Sequence, residues 1–196
     1  RKHPMRICVY CASSSQAPAE YGEAAFALGH LLASAGHSVV FGGGATGSMG
    51  RLADGAAAAG GDIEGIMPDF MQALEWAHPK VERFSWTRDM AERKALLLQG
   101  SDAAVALPGG CGTFEELLEA ITLKRLGLYL QPIVIVNQCG YYDPLLAQLQ
   151  RSVDEAFMRE THLRIFTVVD DVAAVLDAIA NAPDWNAQAQ ALALHP

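Results

Sequence analysis

Apolar positions along this chain follow two rhythms. Largely apolar runs at residues 6–11, 38–41, 63–67, 103–107 and 133–136 have the length of buried strands. Between them, apolar residues recur every three or four positions. That spacing predicts helices over 19–35, ended by Gly36; over 47–59, stopped by Gly60 and Gly61; and over 112–126 and 144–157. Residues 81–85 read as a further strand. A helix follows from Thr87, whose hydroxyl is the expected N-cap, through Met90, Arg93, Lys94 and Leu97. Residues 165–169 and 172–179 close the pattern. The stretch between Pro68 and Pro79, carrying Phe70, Met71 and Trp76, fits neither rhythm and reads as a lid or a short helix.

Alternating buried strands and helices predict an α/β, Rossmann-like fold: a mostly parallel sheet with helices on both faces. Parallel strands need crossover helices, and these cover both sides of the sheet. At 196 residues the chain is expected to form one domain spanning 1–196, with its core at about 5–181. Residues 182–196 have little pattern beyond alanines and read as a trailing helix or a frayed tail.

Composition narrows the function. With 51% hydrophobic and 18% charged residues the chain is neither disordered nor fibrous, and no apolar stretch approaches the roughly 20 residues of a membrane span. The N-terminus runs straight into an apolar strand without the pattern of a signal peptide, so a cytoplasmic protein is expected. The formal charge of −8 disfavours a nucleic-acid partner while leaving room for a small phosphorylated ligand. Four scattered cysteines, Cys8, Cys11, Cys111 and Cys139, suit a reducing compartment; the Cys8/Cys11 spacing has no second pair to complete a zinc set, and no metal is expected.

Ligands of open α/β sheets bind beyond the carboxyl ends of the strands, where two glycine turns fall. Residues 42–50, Gly-Gly-Gly-Ala-Thr-Gly-Ser-Met-Gly, contain G-x-G-x-x-G and open a helix. This loop follows the second strand rather than the first, and Asp62 and Glu64 come early for a ribose carboxylate. A tight turn with close helix packing accounts for it better than a dinucleotide fingerprint does. Residues 108–116, Pro-Gly-Gly-Cys-Gly-Thr-Phe-Glu-Glu, are richer: glycines for close backbone approach, a helix N-terminus for an anion, and the Thr113 hydroxyl. There is no Walker-type lysine, so triphosphate hydrolysis is disfavoured. Glu115 and Glu116 either complement the helix dipole or do chemistry; Arg93 and Lys94 are either a solvated basic patch or part of a site. Neighbouring helix positions face differently, so only one of each pair is expected to point inward.

Residues 108–116 match PGGxGTxxE, and in this the chain resembles the cytokinin-activating "lonely guy" phosphoribohydrolases, which are often mislabelled lysine decarboxylases. Residues 42–50 are similar to that family's GGGxxGxMG loop, with Ser48 where Leu is frequent. Residues 90–94 are similar to its M-x-x-R-K helix, 140–142 to its GYY segment, and Cys11-Ala12-Ser13-Ser14 to its first-strand CGSS or CASS. The resemblance implies hydrolysis of the N-glycosidic bond of a nucleoside 5′-monophosphate, AMP or an N6-substituted AMP such as a cytokinin ribotide, giving free base and ribose 5-phosphate. By the same matching, Arg93 and Glu116 are the catalytic pair. Met90, Lys94, Gly109, Gly110, Gly112, Thr113, Glu115, Gly43, Gly44 and Ser13 are the implied substrate-binding residues. No cofactor is implied, and a homodimer is, with Leu123, Leu126 and Leu128 available for the interface. The alternative is a carrier that binds a nucleotide or a molybdopterin-type phosphate without turning it over. Such a carrier needs the glycine turns but not Glu116. Only Lys80, Lys94 and Lys124 lie within the expected folded body as candidates for a Schiff base, and none sits in a persuasive context.

Overall fold

A computed structural model describes residues 3–74, 76–186 and 191. Seven parallel strands form one sheet in the order β4-β3-β2-β1-β5-β6-β7. They are β1 (Arg6–Tyr10), β2 (Ser38–Phe41), β3 (Ile63–Pro68), β4 (Arg83–Thr87), β5 (Ala103–Ala106), β6 (Ile133–Val136) and β7 (Thr167–Val169). The helices are α1 (Ala19–Ser34), α2 (Gly47–Ala58), α3 (Asp69–Gln72), α4 (Met90–Leu98), α5 (Cys111–Arg125), α6 (Asp143–Asp154) and α7 (Val175–Ala180). The chain builds outward from β1 to β4, crosses back to β5 on the other side of β1, and continues to β7. The reversal point lies between β1 and β5, which pair along Ile7–Ala103 to Tyr10–Ala106.

The period-two alternation of β1 divides the core. Ile7, Val9 and Cys11 pack with Leu28, Leu32, Leu52, Val175 and Ile179 from α1, α2 and α7. Cys8 and Tyr10 face Leu97, Leu117, Ile121 and Leu149 from α4, α5 and α6. Both faces of the sheet are therefore covered, and the expected α/β layering is the one found. Helices α1 and α2 sit unusually close: a Cβ on Gly29 would lie 2.1 Å from the Leu52 carbonyl oxygen, and one on Gly55 2.0 Å from that of Phe26. Any larger residue at either position would push the helices apart.

Several boundaries differ from expectation, each for a local reason. Strand β4 starts at Arg83, two residues later than predicted, because Val81 is drawn into the core within a turn closed by its N–H to the His78 carbonyl. The cap of α4 is Asp89, whose carboxylate accepts the Glu92 N–H at 2.8 Å; Thr87 is the buried last residue of β4 and its hydroxyl donates to the Asp89 carbonyl. Glu92 in turn accepts the N–H of Arg88, the residue before the cap. Helix α6 stops at Asp154, short of the predicted Phe157, where Ala156 turns to φ +62°. Segment 165–169 is strand only from Thr167, and 172–179 is a 3₁₀ turn leading into α7.

The core also continues past residue 181. Trp185 is buried and its indole N–H donates to the Lys124 carbonyl at 2.8 Å, so this part of the expected tail is docked on the end of α5. The remainder of that tail, apart from Ala191, lies outside the described residues. Among the described residues no helix is long and apolar enough to cross a membrane.

Candidate active site

The reversal of strand order opens a crevice beyond β1 and β5, where ligands of such sheets bind. A cleft of about 330 Å³ lies there, walled by the turn after β1 (Cys11 to Ser14), by Gly42 and Met49, by Arg93, and by the start of α5. Gly110 caps α5 with no side-chain hydrogen bond, and its carbonyl accepts the Phe114 N–H at 3.0 Å. The first-turn N–H groups of Cys111, Gly112 and Thr113 thus meet the cleft wall without helical acceptors. With the helix dipole behind them they form an anion seat.

This turn is braced from the β6 side. The Tyr141 hydroxyl donates to the Gly109 carbonyl and the Tyr142 hydroxyl to the Leu107 carbonyl, the latter at 2.6 Å. Tyr142 is itself held through its N–H to the Asn137 side chain, which donates to Asp143. The Gly-Tyr-Tyr segment therefore buttresses the loop after β5. Gly109 lies behind the seat, packed so closely on Thr113 that a Cβ would lie 2.1 Å from its Oγ1.

Arg93 reaches the cleft from α4. Its Nε donates to the Ile66 carbonyl at 2.9 Å and its Nη2 to the Gly42 carbonyl at 2.8 Å, while among the described residues Nη1 has only the Met90 sulfur at 3.9 Å. Gly42 has to be glycine for this: a Cβ would stand 2.3 Å from Nη2. Two strand-end carbonyls thus aim a buried guanidinium, and burial pushes its pKa down. Glu116 enters from α5, two residues into its second turn. Its carboxyl forms no hydrogen bond or ion pair among the described residues, and burial pushes its pKa up to about 7, against the opposing pull of Arg93.

The adjacent charges turn away from the cleft. Lys94 Nζ lies 2.6 Å from Glu115 and 2.6 Å from Glu119, and those carboxylates hold its pKa above the usual lysine range. The structure thus brings Arg93 and Glu116 to one cavity and ties Lys94 and Glu115 to each other outside it. Of the other expected binding residues, Ser13, Gly110, Gly112 and Thr113 line the cleft, whereas Met90 touches it only through Arg93. Gly43, at φ +82°, is taken up by packing: a Cβ there would meet the Phe84 ring at 2.7 Å, and its carbonyl accepts the His78 N–H.

A second chamber of about 410 Å³ shares Ser13, Gly42, Met49 and Arg93 with the first and is completed by Gly44, Ala45, Thr46, Met67, Met71 and Trp76. Its walls are more apolar than those of the first chamber. Met67, Met71 and Trp76 are not among the individual substrate-binding residues that the resemblance implies. The available signal is the large apolar residues Phe70, Met71, Leu74 and Trp76 in the aperiodic stretch 69–79, two of which, Met71 and Trp76, line this chamber. Thr46 also ties the glycine turn at 42–50 to the turn after β1, its hydroxyl donating to the Ser13 carbonyl at 2.7 Å.

A family model described as "Possible lysine decarboxylase" matches residues 49–179. A probable cytokinin riboside 5′-monophosphate phosphoribohydrolase of Oryza sativa subsp. japonica, LOGL1, is 42% identical over 79% of this chain and 69% of its own length. The cytokinin riboside 5′-monophosphate phosphoribohydrolase LOG2 of Arabidopsis thaliana is 37% identical over 89% of this chain and 82% of its own. The chain belongs to this LOG family. Among solved structures, the molybdenum cofactor carrier protein of Chlamydomonas reinhardtii superposes with a TM-score of 0.70, covering 92% of this chain and 98% of the carrier. At 22% identity that likeness shows the fold alone.

The decarboxylase label of the family model finds no support in the cleft. Pyridoxal phosphate chemistry needs a lysine amine at the reacting centre, and no lysine lines either chamber. Lys94 is held by two carboxylates, Lys80 lies on the surface beside Asp54, and Lys124 is buried under Trp185 with its Nζ on the Gln131 carbonyl. The residues present do not fit that cofactor.

Proposed function

We propose that the two chambers together hydrolyse the N-glycosidic bond of a nucleoside 5′-monophosphate, AMP or an N6-substituted AMP, releasing the base and ribose 5-phosphate. The observation that carries this reading is Glu116: a half-buried carboxyl with no hydrogen-bond or ion-pair partner among the described residues, across the cleft from a guanidinium and beside an open helix N-terminus. An anion seat alone serves any phosphate binder. A desolvated carboxyl at the same cavity is costly to the fold and has a use where positive charge develops at a sugar carbon.

In this reading the 5′-phosphate occupies the N-terminus of α5, against the N–H groups of residues 111–113 and the Thr113 hydroxyl. The ribose then lies over Glu116 and the base enters the apolar chamber of Met49, Met67, Met71 and Trp76. As the C1′–N bond breaks, its electron pair leaves with the base, and the sugar passes through an oxocarbenium-like state. The ionised Glu116 stabilises that charge and accepts a proton from the water that attacks C1′. The departing base takes up a proton in exchange, so charge and atoms balance. Arg93, fixed by two carbonyls, keeps the carboxylate form of Glu116 accessible and presents Nη1 to the ligand.

A homodimer belongs to the same proposal, supported by family membership and by the exposed Leu126 and Leu128 at the end of α5; Leu123 packs instead against the core. The test is to incubate the protein with AMP, N6-isopentenyl-AMP and adenosine. Base release from both nucleotides and none from adenosine is expected. Tight nucleotide binding without release would favour the carrier.

A further inference from the structure

The wall of the apolar chamber is built from a segment with no regular structure of its own, and its anchorage is specific. Residues 76–78 lie antiparallel on the glycine turn at 42–50: the Ala45 N–H donates to the Trp76 carbonyl at 3.0 Å, Gly44 bridges Ala77, and the His78 N–H donates to the Gly43 carbonyl at 2.8 Å. These main-chain bonds set the height of the segment, and the His78 side chain sets its position along α2. That imidazole is 5% exposed, unusual for a loop histidine. Its Nδ1 accepts the Lys80 N–H at 3.1 Å, which leaves the ring proton on Nε2, and Nε2 faces Asp54 Oδ1 of α2 at 3.3 Å.

We propose that His78, seated against Asp54, is a positioning residue for substrate specificity: it holds Trp76 as the wall of the chamber that receives the base and its N6 substituent. His78 touches neither chamber, whereas Trp76, two residues before it, lines the apolar one and remains half exposed. A half-exposed indole whose ring has no hydrogen-bonded partner among the described residues depends on its backbone for its place. That backbone has two anchors, the glycine turn on one side and the buried imidazole on the other. Asp54 lies one helical turn beyond Gly50, in the helix that opens from the same glycine turn, so the latch and the chamber floor belong to one rigid piece. Lys80 Nζ also approaches Asp54, at 3.7 Å, but it is 71% exposed and adds little to the hold.

The inference rests on the proposed use of the chamber, and its consequence is a division of labour. Arg93 and Glu116 are anchored independently, on Ile66, Gly42 and α5, so loosening the latch leaves the bond-breaking groups in place. His78→Ala is therefore expected to raise KM for N6-isopentenyl-AMP about tenfold and KM for AMP about twofold, with kcat for AMP changed less than about threefold.

Asp54→Ala should reproduce this pattern. Asp54→Asn, which keeps an acceptor oxygen, should restore most of it, and Lys80→Ala should have no effect. The deciding comparison is a double-mutant cycle. Trp76→Ala combined with His78→Ala should be no worse for the isopentenyl nucleotide than Trp76→Ala alone, because the latch acts only through the indole. Additive effects, or equal KM increases for both nucleotides, would overturn the proposal, as would a fall in kcat for AMP as large as the loss of specificity. If His78→Ala does not fold, the two Asp54 variants carry the same comparison. A wild-type protein that releases no base from either nucleotide overturns the proposed function itself, a result distinct from failure of the latch.

Discussion

Replacing Glu116 by Gln tests the site and the fold together, because the two effects have opposite signs. The carboxyl has an ordinary value of 4.5 and is pushed up to about 7 in the folded protein. The folded state therefore binds this proton more tightly than the unfolded chain does. The carboxyl does not weaken the fold below pH 4.5, and stability is lost as pH rises from 4.5 through 7. A shift of that size corresponds to about 3 kcal/mol, which we reduce to about 2 kcal/mol because the cleft is open to water. Gln is neutral and of the same shape. Glu116→Gln should thus be more stable than the parent at pH 8 by about 2 kcal/mol, a rise of about 4–8 °C in Tm for a chain of this length. The gain should have largely gone at pH 4.5.

The same substitution removes the charge opposite the developing cation. At about 4 Å and an effective dielectric constant near 20, that attraction is about 4 kcal/mol, so kcat should fall by about 10³. Thermal unfolding at pH 8 and pH 4.5, beside base release from AMP, reads both effects. A variant less stable than the parent at pH 8, or equally stabilised at both pH values, would refute a desolvated carboxyl in this cleft. A variant keeping more than about a tenth of the activity would refute its role.

Further outcomes follow from the same geometry. Since catalysis needs Glu116 ionised, kcat/KM for AMP should fall below an apparent pKa of about 7, and a profile flat from pH 5 to 8 would contradict this. Tyr142→Phe leaves the Leu107 carbonyl without its partner and should cost about 1–2 kcal/mol in denaturant unfolding, with a raised KM for AMP as the anion seat loosens. Lys124, buried at the end of α5, has its pKa pushed down to about 8 from 10.5, so the fold is weakened while it is charged and recovers as pH rises from 8 to 10.5. Lys124→Met should accordingly be more stable by about 1–2 kcal/mol at pH 7, the difference closing near pH 10.5, as read by thermal unfolding. Light scattering should return twice the chain's 20.9 kDa, and Leu128→Glu should reduce it to the monomer.

What could be read from the amino-acid sequence was what local pattern controls. The buried strands declare themselves as apolar runs, the glycine turns as departures from both rhythms, and the helix period separates Arg93 from Lys94 and Glu116 from Glu115. The structure carries that separation through: the inward pair faces the cleft, and the outward pair closes an ion pair between α4 and α5. What stayed hidden depends on distant partners. Asp89 and Thr87 are both competent caps two residues apart, and only the pairing of Thr87 at the end of β4 excludes it from the role. Trp185 docks on the Lys124 carbonyl at the end of α5, which also accepts the Gly127 N–H. Trp76 and Met71 line a chamber because Gly43, Ala45 and Asp54 hold their segment, and contacts so far apart leave no period in the chain.

The most direct test of the account is the stoichiometry of products from AMP. The wild-type protein should release adenine and ribose 5-phosphate in equal amounts, while Glu116→Gln binds AMP with little loss and releases neither at a comparable rate. Bound AMP recovered intact from the wild-type protein would contradict the account, as would base release that persists undiminished in Glu116→Gln.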